Sequence, residues 1–275
     1  MKRIISTIIA VGLACASLFA QGNCFPTHSL SNNDLAFKGG EKYSLVFHYV
    51  LGPVNADVCT ATIATDSVKL NGQSVYKTAI TAKIPKMYES LFKIIEEFTS
   101  WYTCDGLKPV RFYRYSMENK YTSTNNYTYF SDHIHAELEN SRKGKFSKDL
   151  PVSACLSDIP RLFSIVRNAD KSKLVTGKSY NLTFAIDDQI TNAKLTYLGK
   201  ENKKVKGLGT VSTLKFKLSV AENEIFDDDQ ANYIWFTDDA NMLPVSLSVP
   251  MKVGRVTGRL KSYENLKYNF TSIVK

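Results

Sequence analysis

The sequence is short of the residues and spacings that usually mark an enzyme. It has four His, two Trp and five Cys in 275 residues. No two cysteines stand at C-x-x-C spacing, which weakens zinc-ribbon and thioredoxin-type readings. G-x-S-x-G, H-E-x-x-H, Walker and EF-hand patterns are absent. A triad assembled from distant residues stays open, because triads are recognised by geometry. Gly207-Leu208-Gly209 lacks the third glycine of a dinucleotide loop and reads as a bend. No nucleic-acid motif accompanies the formal charge of +9, so its lysines read as solvated residues on strand faces and hairpin tips. Ordinary apolar and charged fractions, 44% and 22%, argue against disorder.

What is present begins with an export signal. Met1-Lys2-Arg3 is a basic head, Ile4 to Ala16 is almost wholly apolar, and Ala14-Cys15-Ala16 and Leu18-Phe19-Ala20 are small-x-small sites. The expectation is a signal peptide over 1–20, cleavage after Ala20, and a periplasmic or membrane-associated mature chain. The run is shorter than the roughly 20 residues of a span and is followed by polar Gln21-Gly22-Asn23; no later run is long enough to cross. Leu13-Ala14-Cys15 resembles a lipidation box, but Gly12 stands where Leu is expected. Cleavage would leave Cys24, Cys59, Cys104 and Cys155, an even number in an oxidising compartment. At least one disulfide is expected, and the spacing does not choose among the three pairings.

Period-two alternation dominates the rest. Tyr43, Leu45, Phe47 and Tyr49 share one strand face, as do Tyr76, Thr78, Ile80, Ala82 and Ile84. The same pattern runs through Tyr180–Ile186, Leu214–Val220 and Val245–Val253. This is the mark of antiparallel strands with one face buried. Asn71-Gly72, Asp105-Gly106 and Asp238-Asp239-Ala240-Asn241 supply turns, with Asn241 suited to a left-handed position. Pro250 predicts an edge strand or a bulge. Helix signals are few. Lys86–Phe98 has helical spacing and could run into a strand from about Ile94; Ser157 is a candidate cap for a helix over Ile159–Arg167, with Asp158 in its first turn. The expected fold is all-β: a large curved antiparallel sheet or partly closed barrel with one or two short helices, the alternative being a two-sheet sandwich. An N-terminal segment, 21–36, precedes a single β-rich domain over 37–275, whose two halves would meet near 140–170.

Candidate site residues are sparse. His133 and His135 lie two apart and would point the same way, compatible with two metal ligands beside Asp132. A wet strand face is the plainer reading, since a catalytic zinc needs a third protein ligand. Asp227-Asp228-Asp229 has no flanking ligand spacing and reads as a solvated tip. No metal or other cofactor is expected. Trp101, Tyr113, Tyr115 and Trp235 are candidates to line an apolar groove, against a default of cross-strand packing.

The second half carries an ordered set of motifs. Tyr197-Leu198-Gly199-Lys200-Glu201 is followed by Gly207-Leu208-Gly209-Thr210 and by Ile234-Trp235-Phe236-Thr237-Asp238-Asp239. Leu243-Pro244-Val245, Lys252-Val253-Gly254-Arg255-Val256 and Leu260-Lys261-Ser262-Tyr263 come next. Phe37-Lys38-Gly39-Gly40-Glu41-Lys42-Tyr43 and Leu107-Lys108-Pro109-Val110 belong to the same set. From about Phe37 to Tyr263 the chain resembles the bacterial exported family known as domain of unknown function 3108. One departure is local: Asn55-Ala56-Asp57 stands where relatives carry a small or apolar Ala-Gly pair. The resemblance implies an envelope location and a β-rich fold, and it implies no reaction.

The functional expectation is a non-enzymatic binding or assembly protein of the envelope. It would take a lipid-like molecule, a glycan or an extended protein segment, the last by addition to an edge strand such as the one with Pro250. The rival is a hydrolase or transferase acting on envelope polymers through Glu96, Asp238 and Asp239.

Overall fold

A computed structural model describes residues 23–51, 54–86, 94–220, 232–250 and 254–274. The expected signal peptide, Cys15, the segment over 87–93, the Asp227–Asp229 run and Met251–Val253 lie outside the described residues.

Alternation becomes a meander. Its first eight strands are β1 (Glu41–Leu51), β2 (Val54–Leu70), β3 (Gln73–Lys83), β4 (Ile94–Thr103), β5 (Pro109–Glu118), β6 (Tyr121–Tyr129), β7 (His133–Asn140) and β8 (Gly144–Pro151). A crossover holds β9 (Leu156–Ser157) and the helix α1 (Ile159–Arg167). A second meander follows: β10 (Ser179–Ile186), β11 (Gln189–Val205), β12 (Gly209–Val220), β13 (Asn232–Thr237), β14 (Pro244–Pro250) and β15 (Arg255–Glu264). All fifteen strands form one sheet, in the order β8-β7-β6-β5-β4-β3-β2-β1-β15-β14-β13-β12-β11-β10-β9. Pairing is antiparallel except between β9 and β10. The seam between β1 and β15 joins the two meanders, so the crossover runs between the far edges of the sheet.

Those edges come together because the sheet rolls up. Ala185 of β10 packs with Phe112, Tyr127 and Ile134 of β5, β6 and β7. The β10–β11 turn is held there by bonds from Tyr127 Oη to the Asp187 carbonyl and from Lys148 Nζ to the Asp188 carbonyl, each 2.7 Å. The expected curved, barrel-like sheet is therefore what forms, and it is not closed. Twist accumulating over so many strands is the physical cause.

Three local expectations change. Asp158, not Ser157, caps α1: its Oδ1 accepts from the Arg161 amide at 3.0 Å, while Ser157 belongs to β9. Pro250 ends β14, an internal strand. Among the described residues β13–β14 pairing is seen as far as Ser248, and Pro250 pairs with Arg255 of β15. The left-handed turn position falls on Met242 (φ 47°), while Asn241 instead bonds the carbonyls of Tyr268 and Asn269. The strand expected from about Ile94 is β4.

Helix α1 fills the hollow and is fastened there by polar side chains. Arg167 and Glu41 are both buried and form an ion pair; Arg167 Nη2 reaches Glu41 Oε2 at 3.1 Å. The same guanidinium donates to the carbonyls of Asn241 (2.9 Å) and Ala36 (3.2 Å), and lies over the rings of Phe37 and Tyr43. A buried hydroxyl chain adds a second fastening: Thr65 to Thr78 at 2.9 Å, Thr78 to Tyr102 at 2.5 Å and Tyr102 to Ser164 of α1 at 2.8 Å. Ser100 donates to Asp158 at 2.8 Å. A buried polar group costs little when bonded and much when abandoned, so this set fixes one position for the helix.

One disulfide, Cys24–Cys155, ties the N-terminal segment to the crossover, with Cα atoms 5.2 Å apart; Cys59 and Cys104 are free thiols. Burial pushes both thiols above their ordinary pKa, so neither is set up as a nucleophile.

Two outcomes follow. Glu41→Ala should destabilise the protein by about 3–5 kcal/mol, because it strands the Arg167 charge in the interior. The paired replacement Glu41→Leu with Arg167→Met should recover most of that loss, read from urea midpoints. Denatured, non-reduced mature protein should titrate two thiols, and peptide mapping should recover Cys24 joined to Cys155; loss of that bond should cost roughly 2–5 kcal/mol.

Candidate functional site

The N-terminal segment builds one wall of a cleft. It runs beside β10: the Asn181 amide donates to the Asn23 carbonyl at 2.7 Å, and Cys24 bridges to Asn181 in parallel. Phe25 wedges its ring 5.7 Å from Tyr180 and 5.9 Å from Phe216. Past the wedge the segment is held to the end of α1, with Asp170 N to Pro26 O at 3.0 Å and His28 N to Asn168 O at 3.1 Å. Its far end reaches the β4–β5 turn through Gly106 N to Leu30 O at 2.8 Å.

The space enclosed has a volume of about 570 Å³. Phe25 and Leu30 lie on one side, Pro109, Tyr129 and Phe130 on another, and Leu156, Leu162, Ile165 and Leu182 also line it. Phe130 and Val152 are exposed hydrophobics on its lining. The size falls within the usual range for small-molecule sites, which are mostly apolar with a few placed polar groups. Here those include Arg161, Lys108, Asn181 and Tyr129, and no acidic residue lines the cleft among the described residues.

Arg161 differs from Arg167 although both are buried residues of one short helix. Its Nε donates to the Leu107 carbonyl, and its Nη1 to the Leu156 carbonyl (2.9 Å) and Ser157 Oγ (3.2 Å). These acceptors are neutral. Burial lowers the Arg161 pKa from its ordinary value, partly offset by the charge of Asp158. Asp158 is itself raised by burial, against the pull of Arg161. Tyr129 leans on the same carboxylate with a long 3.4 Å contact, and burial carries its hydroxyl well above the usual tyrosine range.

The four aromatic candidates go elsewhere. Trp101, Tyr113 and Tyr115 share the face opposite Ser100, Tyr102 and Phe112, with Trp101 across from Lys77 and Arg111. Both cations lie 5.7–5.8 Å from the Trp101 ring. Trp235 is buried beneath Lys203, whose Nζ sits 3.8 Å from the ring, and its Nε1 donates to Glu201. None of the four lines the cleft. Strand alternation sends these side chains to the other face, and the β11–β12 hairpin, which carries a bulge between Tyr197 and Gly199, covers Trp235 with Lys203.

The titratable candidates are also dispersed. His133 bonds Asp132 and His135 bonds Asp149, each at 2.8 Å. No group of three metal-ligating side chains gathers among the described residues. Glu96 holds Arg114 and Ser116; Asp238 holds Lys171 and Lys200; Asp239 accepts from Thr237, Asn241 and Thr271. Burial would raise Asp238, but the two lysine bonds outweigh it and keep its pKa low. These carboxylates therefore serve turns and ion pairs, and they do not converge.

Sequence reasoning missed the cleft residues Phe25, Leu30, Phe130, Arg161, Leu162, Ile165 and Leu182. A partial signal existed: Leu162 and Ile165 form a short apolar stripe on the predicted helix with Arg161 beside it. The facing walls come from segments more than a hundred residues apart, and no local pattern joins them.

Known proteins resemble the chain in two ways. A crystal structure of a β-barrel-like protein of domain of unknown function DUF1849 from Brucella abortus superposes with a TM-score of 0.52. It is 9% identical and covers 83% of this chain and 98% of its own. A "putative lipoprotein" from Parabacteroides distasonis ATCC 8503 gives 0.36 at 8% identity, covering 88% of this chain and 100% of its own. At these identities the Brucella likeness speaks for the barrel-like fold alone, and the second carries no argument. No curated protein matches. The model of the family described as "Protein of unknown function (DUF3108)" matches residues 42–261, most of the chain and nearly the whole sheet, and the protein therefore belongs to the DUF3108 family.

Proposed function

We propose that this protein is a non-enzymatic binding protein of the bacterial envelope that holds an apolar or amphiphilic ligand in the cleft between the N-terminal segment, α1 and the β5–β6 end of the sheet. The observation that carries this reading is the cleft itself: about 570 Å³, walled by Phe25, Leu162, Ile165 and Leu182, with exposed Phe130 and Val152 on its lining. Apolar surface left open to water is costly unless something covers it, at about 25 cal/mol per Å². The carboxylates that a hydrolase would need are committed to separate ion pairs and turns. Export rests on the N-terminal sequence, Met1-Lys2-Arg3 followed by the apolar run to Ala16. No helix among the described residues is long and apolar enough to cross a membrane.

A neutral fluorescent naphthylamine probe tests the reading. It should bind the mature chain saturably, with emission enhanced in an apolar site. Leu162→Trp and Leu182→Trp, which fill the cleft, should weaken binding more than about tenfold while costing roughly 1–3 kcal/mol of stability. Glu96→Gln and Asp238→Asn should leave the affinity unchanged. Folded cleft variants that bind as well as the parent would refute it.

A further inference from the structure

We infer that the ligand's head is a single carboxylate gripped by Arg161, so that the cleft takes a fatty-acid-like amphiphile; the inference rests on the binding reading above. Arg161 is 8% exposed and forms no ion pair among the described residues. Its fellow on α1, Arg167, has Glu41 to balance it. The Arg161 guanidinium bonds only neutral oxygens, the buried Asp158 carboxylate acting on it through space while accepting from its backbone amide, and helix α1 places this cation on the wall of an otherwise apolar cleft. Its Nε and Nη1 are used, whereas Nη2 has no hydrogen-bond partner among the described residues. An anionic oxygen meeting Nη2 would complete the guanidinium's hydrogen bonding with a charge-assisted bond.

The remaining lining agrees in sign. Lys108 is exposed, and among the described residues no Asp or Glu lines the cleft, the buried Asp158 that Tyr129 and Arg161 bond not being part of its lining. A monoanion matches one buried guanidinium; a phosphate dianion would bring in a second charge without a second buried cation and would pay more desolvation. A cationic amphiphile would set like charges together. The tail would lie against Phe25, Leu162 and Leu182, where binding buries apolar surface.

Displacement of the neutral probe from the mature chain at about pH 8, where a carboxylic acid is ionised, tests this. The competitors share a twelve-carbon chain: dodecanoate, dodecanol, dodecyl phosphate and dodecyltrimethylammonium. Dodecanoate should bind roughly ten- to a hundredfold tighter than dodecanol, the range for a charge-assisted hydrogen bond. Arg161→Gln should erase that preference while leaving dodecanol affinity unchanged, and Lys108→Gln should remove a smaller, salt-sensitive part. Should Arg161→Gln fail to fold, the parent chain's ranking of the four competitors decides the matter alone. Equal binding of dodecanoate and dodecanol, or tighter binding of the ammonium, would overturn the inference and leave the cleft as an apolar binder. Tightest binding of dodecyl phosphate would overturn the carboxylate assignment. A neutral probe that never occupies the cleft would overturn the binding reading and this inference together.

Discussion

A fifteen-strand sheet cannot stay flat, and once it rolls its hollow must be filled. Here α1 fills it, and the Glu41–Arg167 ion pair governs how. Glu41 opens β1, at the seam where the two meanders join, and Arg167 ends the helix of the crossover that spans the two far edges. One interaction thus links the middle of the sheet to the segment connecting its ends. A buried pair of this kind adds little net stability over an apolar substitute, but it tolerates no other position for the helix. The hydroxyl chain through Thr65, Thr78, Tyr102 and Ser164 repeats the constraint about one helical turn away.

The family motifs make sense as parts of this fastening. Gly40 takes a left-handed φ of 82° immediately before Glu41 and so turns the chain into the seam strand. Gly254 lies where a Cβ would come within 2.6 Å of the Val50 carbonyl oxygen. Asp239 and Asn241 bind the backbone of Thr271 and Tyr268–Asn269, securing the C-terminal tail. Asn241 also presents its carbonyl to Arg167. Trp235 and Glu201 bond each other beneath Lys203. Motifs that look catalytic in isolation, such as Thr237-Asp238-Asp239, hold turns and tails. What they leave over is the cleft beside α1, where the second buried arginine has neutral partners only.

Much of the architecture was legible in the chain by itself. Alternation over Tyr43–Tyr49, Tyr76–Ile84 and Leu214–Val220 specified strands because a period of two is a local property, fixed by neighbours. Asn71-Gly72 specified the β2–β3 turn, where both residues take positive φ, for the same reason. The presence of a disulfide could be argued from the cysteine count and an export signal. Its pairing could not, because Cys24 and Cys155 stand 131 positions apart and meet only once the intervening chain has folded. Trp101, Tyr113, Tyr115 and Trp235 drew attention as groove residues because aromatic composition is visible and face is not. The cleft belonged wholly to the tertiary structure. Phe25, Phe130 and Leu182 become neighbours only when a sheet long enough to roll brings its ends to one helix, and where that helix is fastened decides that the Arg161 guanidinium meets neutral oxygens on the cleft wall.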